Sequence, residues 1–202
     1  MARLGMVIDL ARCVGCDACT VACQTENGTP PGIQYAPVFR KEVGKFPQAK
    51  VLFLPTLCMH CADPPCMKAC PTGAISKREK DGIVLVDQDK CCGSKACIAA
   101  CPYGALHFYD GESGRMYGGK MTEPEEHALK KFTSGTAQKC TFCSHRVDQG
   151  LEPACVVTCP TNCRIFGDLD DPESRVSRLL RERNSVALRP DAGTDPSVRY
   201  LP

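Results

Sequence analysis

Residues 58–71, CMHCADPPCMKACP, and residues 91–102, CCGSKACIAACP, decide the fold. The first reads C-x2-C-x4-C-x3-C-P. The second reads C-x2-S-x2-C-x3-C-P, with Ser94 where a second cysteine is expected and with Cys92 beside Cys91. Such runs are the ligand spacings of cubane iron-sulfur clusters, in which the last cysteine of each run crosses over to ligate the other cluster. Two runs of this kind therefore make one interlocked ferredoxin-like module. The frame repeats beyond the ligands, since CMKACPTGAI (66–75) and CIAACPYGAL (97–106) share C-x3-C-P-x-G-A followed by an apolar residue. Proline after the last cysteine turns the chain away from the cluster, and Gly73 and Gly104 permit tight turns beside the sulfurs.

The same pattern occurs twice more. Residues 13–23, CVGCDACTVAC, read C-x2-C-x2-C-x3-C, and Cys140, Cys143, Cys155 and Cys159 read C-x2-C-x11-C-x3-C-P. Fifteen of the 17 cysteines thus fall into four groups, leaving Cys92 and Cys163. A disulfide scaffold explains this poorly: the count is odd, the cysteines are paired as C-x2-C, and no apolar signal core precedes Cys13. Zinc also takes C-x2-C pairs, but it does not call for repeated C-x3-C-P endings. A zinc-binding structural module is accordingly the remote alternative, and no segment reads as a nucleic-acid patch.

Composition points the same way. The chain has 202 residues, no Trp, 17 Gly and 16 Pro, a thin apolar core for so many turns. Clusters supply the missing cohesion, so iron binding is expected to be part of the folding free energy and the iron-free chain largely disordered. The formal charge is +2. Four clusters with their thiolates, at about −2 each, bring the assembled protein to about −6. Arg12, Lys68, Lys90, Lys95, Lys139, Arg146 and Arg164 lie beside the groups and are candidates to offset that charge, ordinary solvated side chains being the competing reading. His60 and His145, also near ligands, are read as packing or hydrogen-bonding residues, and Cys163 as a buried, inert thiol. No run approaches the roughly 20 apolar residues of a bilayer span.

Among elements, strands are expected near 7–10, 50–54, 74–77 and 83–86, the last two around the turn Glu79–Gly82. The C-x3-C segments read as short helices. The ligand-free stretch 107–138 reads as an insertion. Residues 171–184, DPESRVSRLLRERN, read as a helix capped by Asp171, with Val176, Leu179 and Leu180 on one face. That helix packs on its own domain or docks a partner.

The strings CVGCDACTVACQTEN, LCMHCADPPCMKACPTGAI, CIAACPYGAL and KCTFCSHRVDQGLEPACVVTCPTNCRIFGDLDDPES resemble the four-cluster iron-sulfur (beta) subunits of the dimethyl sulfoxide reductase family of molybdopterin oxidoreductases. The nearest likeness is to the polysulfide, thiosulfate, tetrathionate and arsenate respiratory reductases. The resemblance implies an α+β fold of two interleaved bacterial-ferredoxin-like modules: 1–57 plus 136–170, and 58–110. An insertion at 111–135 and a C-terminal helix and docking tail at 171–202 complete it.

It further implies four ligand sets: Cys13, Cys16, Cys19 and Cys159; Cys140, Cys143, Cys155 and Cys23; Cys58, Cys61, Cys66 and Cys101; and Cys70, Cys91 and Cys97. Ser94 departs from the family pattern. A serine hydroxyl is a poor ligand beside soft thiolates, so the fourth site reads as 3Fe-4S, giving three 4Fe-4S clusters and one 3Fe-4S. Cys92 or Ser94 as a fourth ligand, making four 4Fe-4S clusters, stays open.

The implied function is non-catalytic: electron transfer between a molybdopterin catalytic subunit and an integral membrane quinone-binding subunit, in anaerobic respiration. The first cluster would face the catalytic subunit and the fourth the membrane. A polyferredoxin-type subunit of a formate dehydrogenase, hydrogenase or aromatic-acid CoA oxidoreductase is the alternative. Location peripheral to the cell membrane is implied, the periplasmic face favoured over the cytoplasmic.

Overall fold

The computed structural model describes residues 2–111 and 121–202. Its elements are short strands and helices in α+β arrangement, placed around the cysteine groups. Strand β1 (Leu4–Asp9) is the central strand of a three-stranded sheet. It pairs antiparallel with β8 (Arg164–Asp168), Ile8 opposite Arg164, and parallel with β9 (Val198–Leu201), Met6 opposite Val198. Met6, Val7 and Ile8 are fully buried, as a central strand covered on both faces requires. Chain ends and fourth cysteine group are thereby tied into one unit.

The other strands form two-stranded ladders. β2 (Val38–Val43) pairs with β3 (Lys50–Pro55), and β4 (Ile75–Lys77) with β5 (Val84–Val86). The latter connection closes through Arg78 N–H to Ile83 C=O, with Gly82 at φ +74°. β6 (Leu106–Tyr109) pairs with β7 (Thr136–Lys139), so the expected insertion at 111–135 is the connection between two paired strands. Of that insertion, residues 112–120 lie outside the described residues, and the rest includes helix α4 (Glu123–Leu129), started by a Thr122–Glu125 capping box.

The C-x3-C segments are helical, as expected. Helices α2 (Pro65–Lys68), α3 (Ala96–Ala100) and α6 (Ala154–Val157) are single turns, whereas α1 (Ala18–Asn27) runs ten residues. Pro71, Pro102 and Pro160 forbid continuation after the short ones. Gln24 stands at that place after Cys23, so α1 continues to Gly28, whose φ of +64° ends it. Helix α5 (Ser144–Val147) follows the fourth group's C-x2-C.

One expectation for the C-terminus needs correction, the residue that caps its helix. Helix α7 (Arg175–Glu182) starts at Ser174, whose Oγ accepts the Ser177 N–H, while Asp171 accepts the Glu173 N–H in the preceding turn. Its apolar face is covered by this chain: Val176 is buried against Val7, Ile165 and Leu201, with Leu179 and Leu180 alongside. The segment read as a docking tail ends in β9, where Val198, Tyr200 and Leu201 are fully buried. The pairing of VRYL with a strand at the other end of the chain gives no local sequence signal.

Candidate metal centres

Backbone conformation relates the four cysteine groups in pairs. In the first group Gly15 and Asp17 flank Cys16 at φ +66° and +59°; in the third, Gly93 and Lys95 flank Ser94 at +70° and +58°. Ser94 thus stands where Cys16 does. Cys92 takes the place of Val14, which is 57% exposed. In the second group His60 precedes Cys61 at φ +42°, and in the fourth Phe142 precedes Cys143 at +49°. After the C-P step, Gly73, Gly104 and Asn162 share the left-handed region, Asn being among the few side chains that tolerate it.

One enclosed cavity is lined by Cys58, Cys61, Cys66 and Cys101, with Tyr103 and Leu106 on its wall. A second is lined by Cys70, Cys91 and Cys97, with Cys92 and Ser94 also on its boundary. The Ala137 N–H of β7 lies 3.5 Å from Cys91 Sγ there. The structure therefore brings Cys101 to the thiols of the preceding group and Cys70 to those of the following one.

Among the other cysteines, hydrogen bonds and mutual repulsion show which thiols lie near one another. Asn27 Nδ2 donates to Cys23 Sγ (3.5 Å) and reaches Cys143 Sγ at 3.9 Å. Burial above all pushes the Cys23 thiol up, and Cys155 and Cys143 add their repulsion. Cys140 is likewise raised by burial and then by Cys23. Beyond sulfur, Glu26 of α1 holds His145 (2.7 Å) and Arg146 (3.0 Å) of α5. In the first set, Cys159 and Cys13 both act on the Cys163 thiol. Cys19 is buried beside Cys155, and Cys16 stands exposed.

The same influences order the sets. Cys155 and Cys19 link the first to the second, Cys140 and Cys58 the second to the third, and one apolar cluster contains Cys66 and Cys97 of the third and fourth. At the second junction His60, fully buried, stacks on Phe142 with centroids 3.8 Å apart, and its Nδ1 accepts the Val84 N–H. Burial pushes its pKa well down, so it packs as a neutral ring.

Do these residues suit iron-sulfur clusters? Burial, followed by mutual repulsion, pushes Cys61 up to about 11 and Cys66 up to about 12. A coordinating metal reverses such a shift by holding the thiolate, so the converging thiols fit a cationic group at their centre. Among the described residues no three His, Cys, Asp or Glu side chains stand close enough to share one ion. Cys58, Cys61, Cys66 and Cys101, and Cys70, Cys91 and Cys97, are instead spread around two enclosed spaces.

Cys163 is the buried thiol expected, and it packs against a proposed ligand. It is buried, its N–H donates to Cys159 Sγ (3.3 Å), and its own Sγ lies 3.5 Å from the same sulfur. Although burial alone would raise Cys159, Thr161 and these two groups bring it to about 7. Among the basic residues, Lys68 and Lys90 pair with Asp63 and Asp87 at the surface, and Lys95 lies 4.0 Å over the Phe108 ring. Arg12 is exposed. Lys139 and Arg164 alone of the seven are buried, which nothing in their sequence neighbourhood announces.

Comparison with known proteins agrees with this geometry. Two family models, each described as a 4Fe-4S dicluster domain, match residues 49–128 with 122–169, and residues 12–74. The chain is 43% identical to the arsenate respiratory reductase iron-sulfur subunit ArrB of Shewanella sp., over 98% of this chain and 96% of that protein. It is 43% identical to the B subunit of selenate reductase from Mesobacillus selenatarsenatis, covering 97% and 70%, and 41% identical to the B subunit of tetrathionate reductase from Salmonella typhimurium, covering 98% and 72%. The chain belongs to the iron-sulfur beta subunits of the molybdoenzyme reductases. It carries multiple iron-sulfur clusters and serves as an electron-transfer subunit of a reductase complex, not catalytic alone.

Proposed function

We infer that the chain is a four-site wire between a molybdopterin catalytic subunit and an integral membrane quinone-binding subunit. Its two interleaved ferredoxin-like modules comprise 1–57 with 136–170 and 58–110. The proposed ligand sets are Cys13, Cys16, Cys19 and Cys159; Cys140, Cys143, Cys155 and Cys23; Cys58, Cys61, Cys66 and Cys101; and Cys70, Cys91 and Cys97, the last holding 3Fe-4S. Each bound cluster supplies one-electron redox chemistry. The protein supplies spacing, sulfur and local charge.

One observation carries this reading. In the end sets Cys16 is exposed and Cys13, Cys70 and Cys91 are partly so, with Cys19, Cys159 and Cys97 buried behind them, while in between every proposed ligand except half-exposed Cys101 is buried. A conductor needs an insulated middle and accessible ends. The β2–β3 hairpin supports a partner at the first end: Phe46 at its tip is 94% exposed, Phe39, Val51 and Leu52 are exposed, and the groove it forms reaches Cys13. Among the described residues no helix is long and apolar enough to cross a membrane; the proposal assigns the membrane contact to the other partner and sets the chain peripheral to the membrane, on the periplasmic face. Relatives named for arsenate, selenate and tetrathionate are similar along nearly all of this chain, which supports the reading that substrate choice lies with the catalytic partner.

The test is anaerobic co-expression with the catalytic partner. Intact protein should copurify with it and contain about fifteen irons, and Phe46→Asp with Leu52→Asp should abolish copurification while leaving iron unchanged. Iron-free yet compactly folded protein refutes the wire, and undiminished copurification of the double variant refutes the hairpin as the contact.

A further inference from the structure

Arg164, the first residue of β8, is 2% exposed, and its guanidinium Nε and Nη2 have no hydrogen-bond partner among the described residues. Nη1 reaches Met6 Sδ, at 3.8 Å. No carboxylate among the described residues pairs with it, whereas Arg146 has Glu26. The other buried cation, Lys139, is satisfied differently: its ammonium donates to the carbonyls of Val84 and Cys140. An unpaired buried charge is among the costliest features a fold can contain, so a guanidinium with free N–H groups implies an anion that polypeptide does not provide.

The surroundings say which anion. Burial alone would lower the guanidinium's pKa, yet Cys155, then Cys19, Tyr200 and Cys163, hold it above its ordinary value. Arg164 acts in turn on Cys23. Cys19 belongs to the first proposed set, Cys155 and Cys23 to the second. The cation therefore stands at the junction of two sites, each expected to carry net negative charge when loaded.

We propose that Arg164 is a fixed positive charge shared by the first and second cluster sites, offering its free N–H groups to their sulfur and holding the reduction potentials of both above those the thiolates alone would set. The proposal rests on the ligand sets assigned above. An added electron makes a cluster more negative, and a nearby buried cation stabilises that state more than the oxidised one. The dependence also runs the other way: without clusters the guanidinium is buried unpaired, so iron loss and exposure of β8 should be linked.

The experiment is a potentiometric titration, followed by EPR, of the iron-loaded complex carrying Arg164→Gln or Arg164→Lys. With Gln, the potentials of the first and second clusters should fall by at least 59 mV each, a tenfold change in a one-electron equilibrium. The third and fourth should stay put, and Lys should restore most of the shift. Full iron with unmoved potentials, or equal shifts of all four, overturns the proposal.

Wild-type protein with 15N-labelled arginine gives a second route that survives a Gln variant unable to load iron. Pulsed EPR of the reduced first or second cluster should show an arginine 15N coupling that Arg164→Lys removes. Absence of that coupling in wild type overturns the proposal. Iron-free wild-type protein would instead sink the ligand assignment beneath it, so the two failures are distinguishable.

Discussion

Replacing Ser94 with cysteine should add one iron per chain. The magnitude follows from the four sets: three with four thiols hold four irons each and the fourth, with three, holds three, giving fifteen. Ser94 lies between Gly93 and Lys95 at φ +70° and +58°, the conformation that puts Cys16 between Gly15 and Asp17. A thiol at 94 therefore starts from the same backbone geometry as an expected ligand, and no loop must move to use it. Cys92 stands at the place of exposed Val14 in the run and is itself exposed.

Two variants separate the candidates. Ser94→Cys should raise iron from fifteen to sixteen and abolish the oxidised three-iron EPR signal near g of about 2. Cys92→Ser should change neither. The assays are iron analysis per chain by amino-acid quantitation and EPR of air-free, ferricyanide-oxidised samples. Sixteen irons in wild type without that signal, falling to fifteen in Cys92→Ser, would refute the backbone argument and make Cys92 the fourth ligand.

Three further substitutions test other parts of the structure. Cys101→Ala should damage the third cluster, whose cavity it shares with Cys58, Cys61 and Cys66, and leave the fourth cluster's EPR signal in place; loss of the fourth signal alone would refute the crossover. Cys163→Ala removes a thiol 3.5 Å from Cys159 Sγ. If that contact is worth about 0.5–1.5 kcal/mol, as a typical hydrogen bond is, the first cluster's potential should fall by about 20–65 mV in an EPR titration, and no shift would return Cys163 to a packing role. Leu201→Ala opens a cavity beside fully buried Val7 and Val176 at a cost of about 2–5 kcal/mol. The temperature at which absorption near about 400 nm bleaches should therefore drop, and an unchanged bleaching temperature would argue against β9 as part of the core.

Local chemistry was legible in the sequence, and distant pairing was not. Cysteine spacing marked the four groups, and proline position explains why three helices stop after one turn while α1 continues. The β4–β5 pair and the apolar face of α7 were visible as well, because each rests on neighbouring residues. β2 was missed since VFRKEV buries only Val38, its other residues facing outward or half-covered. β7 was missed for the opposite reason. Three of its four residues, Thr136, Gln138 and Lys139, are polar yet buried, their needs met by Gln138 Nε2 to Thr136 Oγ1 (2.8 Å), Thr136 Oγ1 to the Thr133 carbonyl (2.6 Å) and Lys139 Nζ to the Cys140 carbonyl (2.7 Å). Polar residues with such partners look like loop when the partners cannot be seen. Arg164 was named only as one of seven basic neighbours, and its burial depends on β8 lying against β1.

The thin apolar composition and the number of ligand sets are one fact seen from two sides. The largest core cluster counts Cys19, Cys23, Cys58, Cys61, Cys140 and Cys155 among its members, alongside Met6, Ile8, Phe142 and Tyr200. In an ordinary domain those positions would belong to leucine or valine, and each would contribute through area removed from water. A buried thiol contributes less by area, and its ionised form is disfavoured by burial and by its neighbours, as the raised Cys61 and Cys66 show. Such a core is cohesive when iron draws the thiolates together, and strained by repulsion and by an unpaired Arg164 when it does not. Assembly and electron carriage therefore depend on the same atoms. Substitutions at the buried cysteines should accordingly cost folding before they cost potential, whereas the exposed or half-exposed positions, Cys16, Cys70 and Cys91, can be altered, as Ser94 already is, with the scaffold intact.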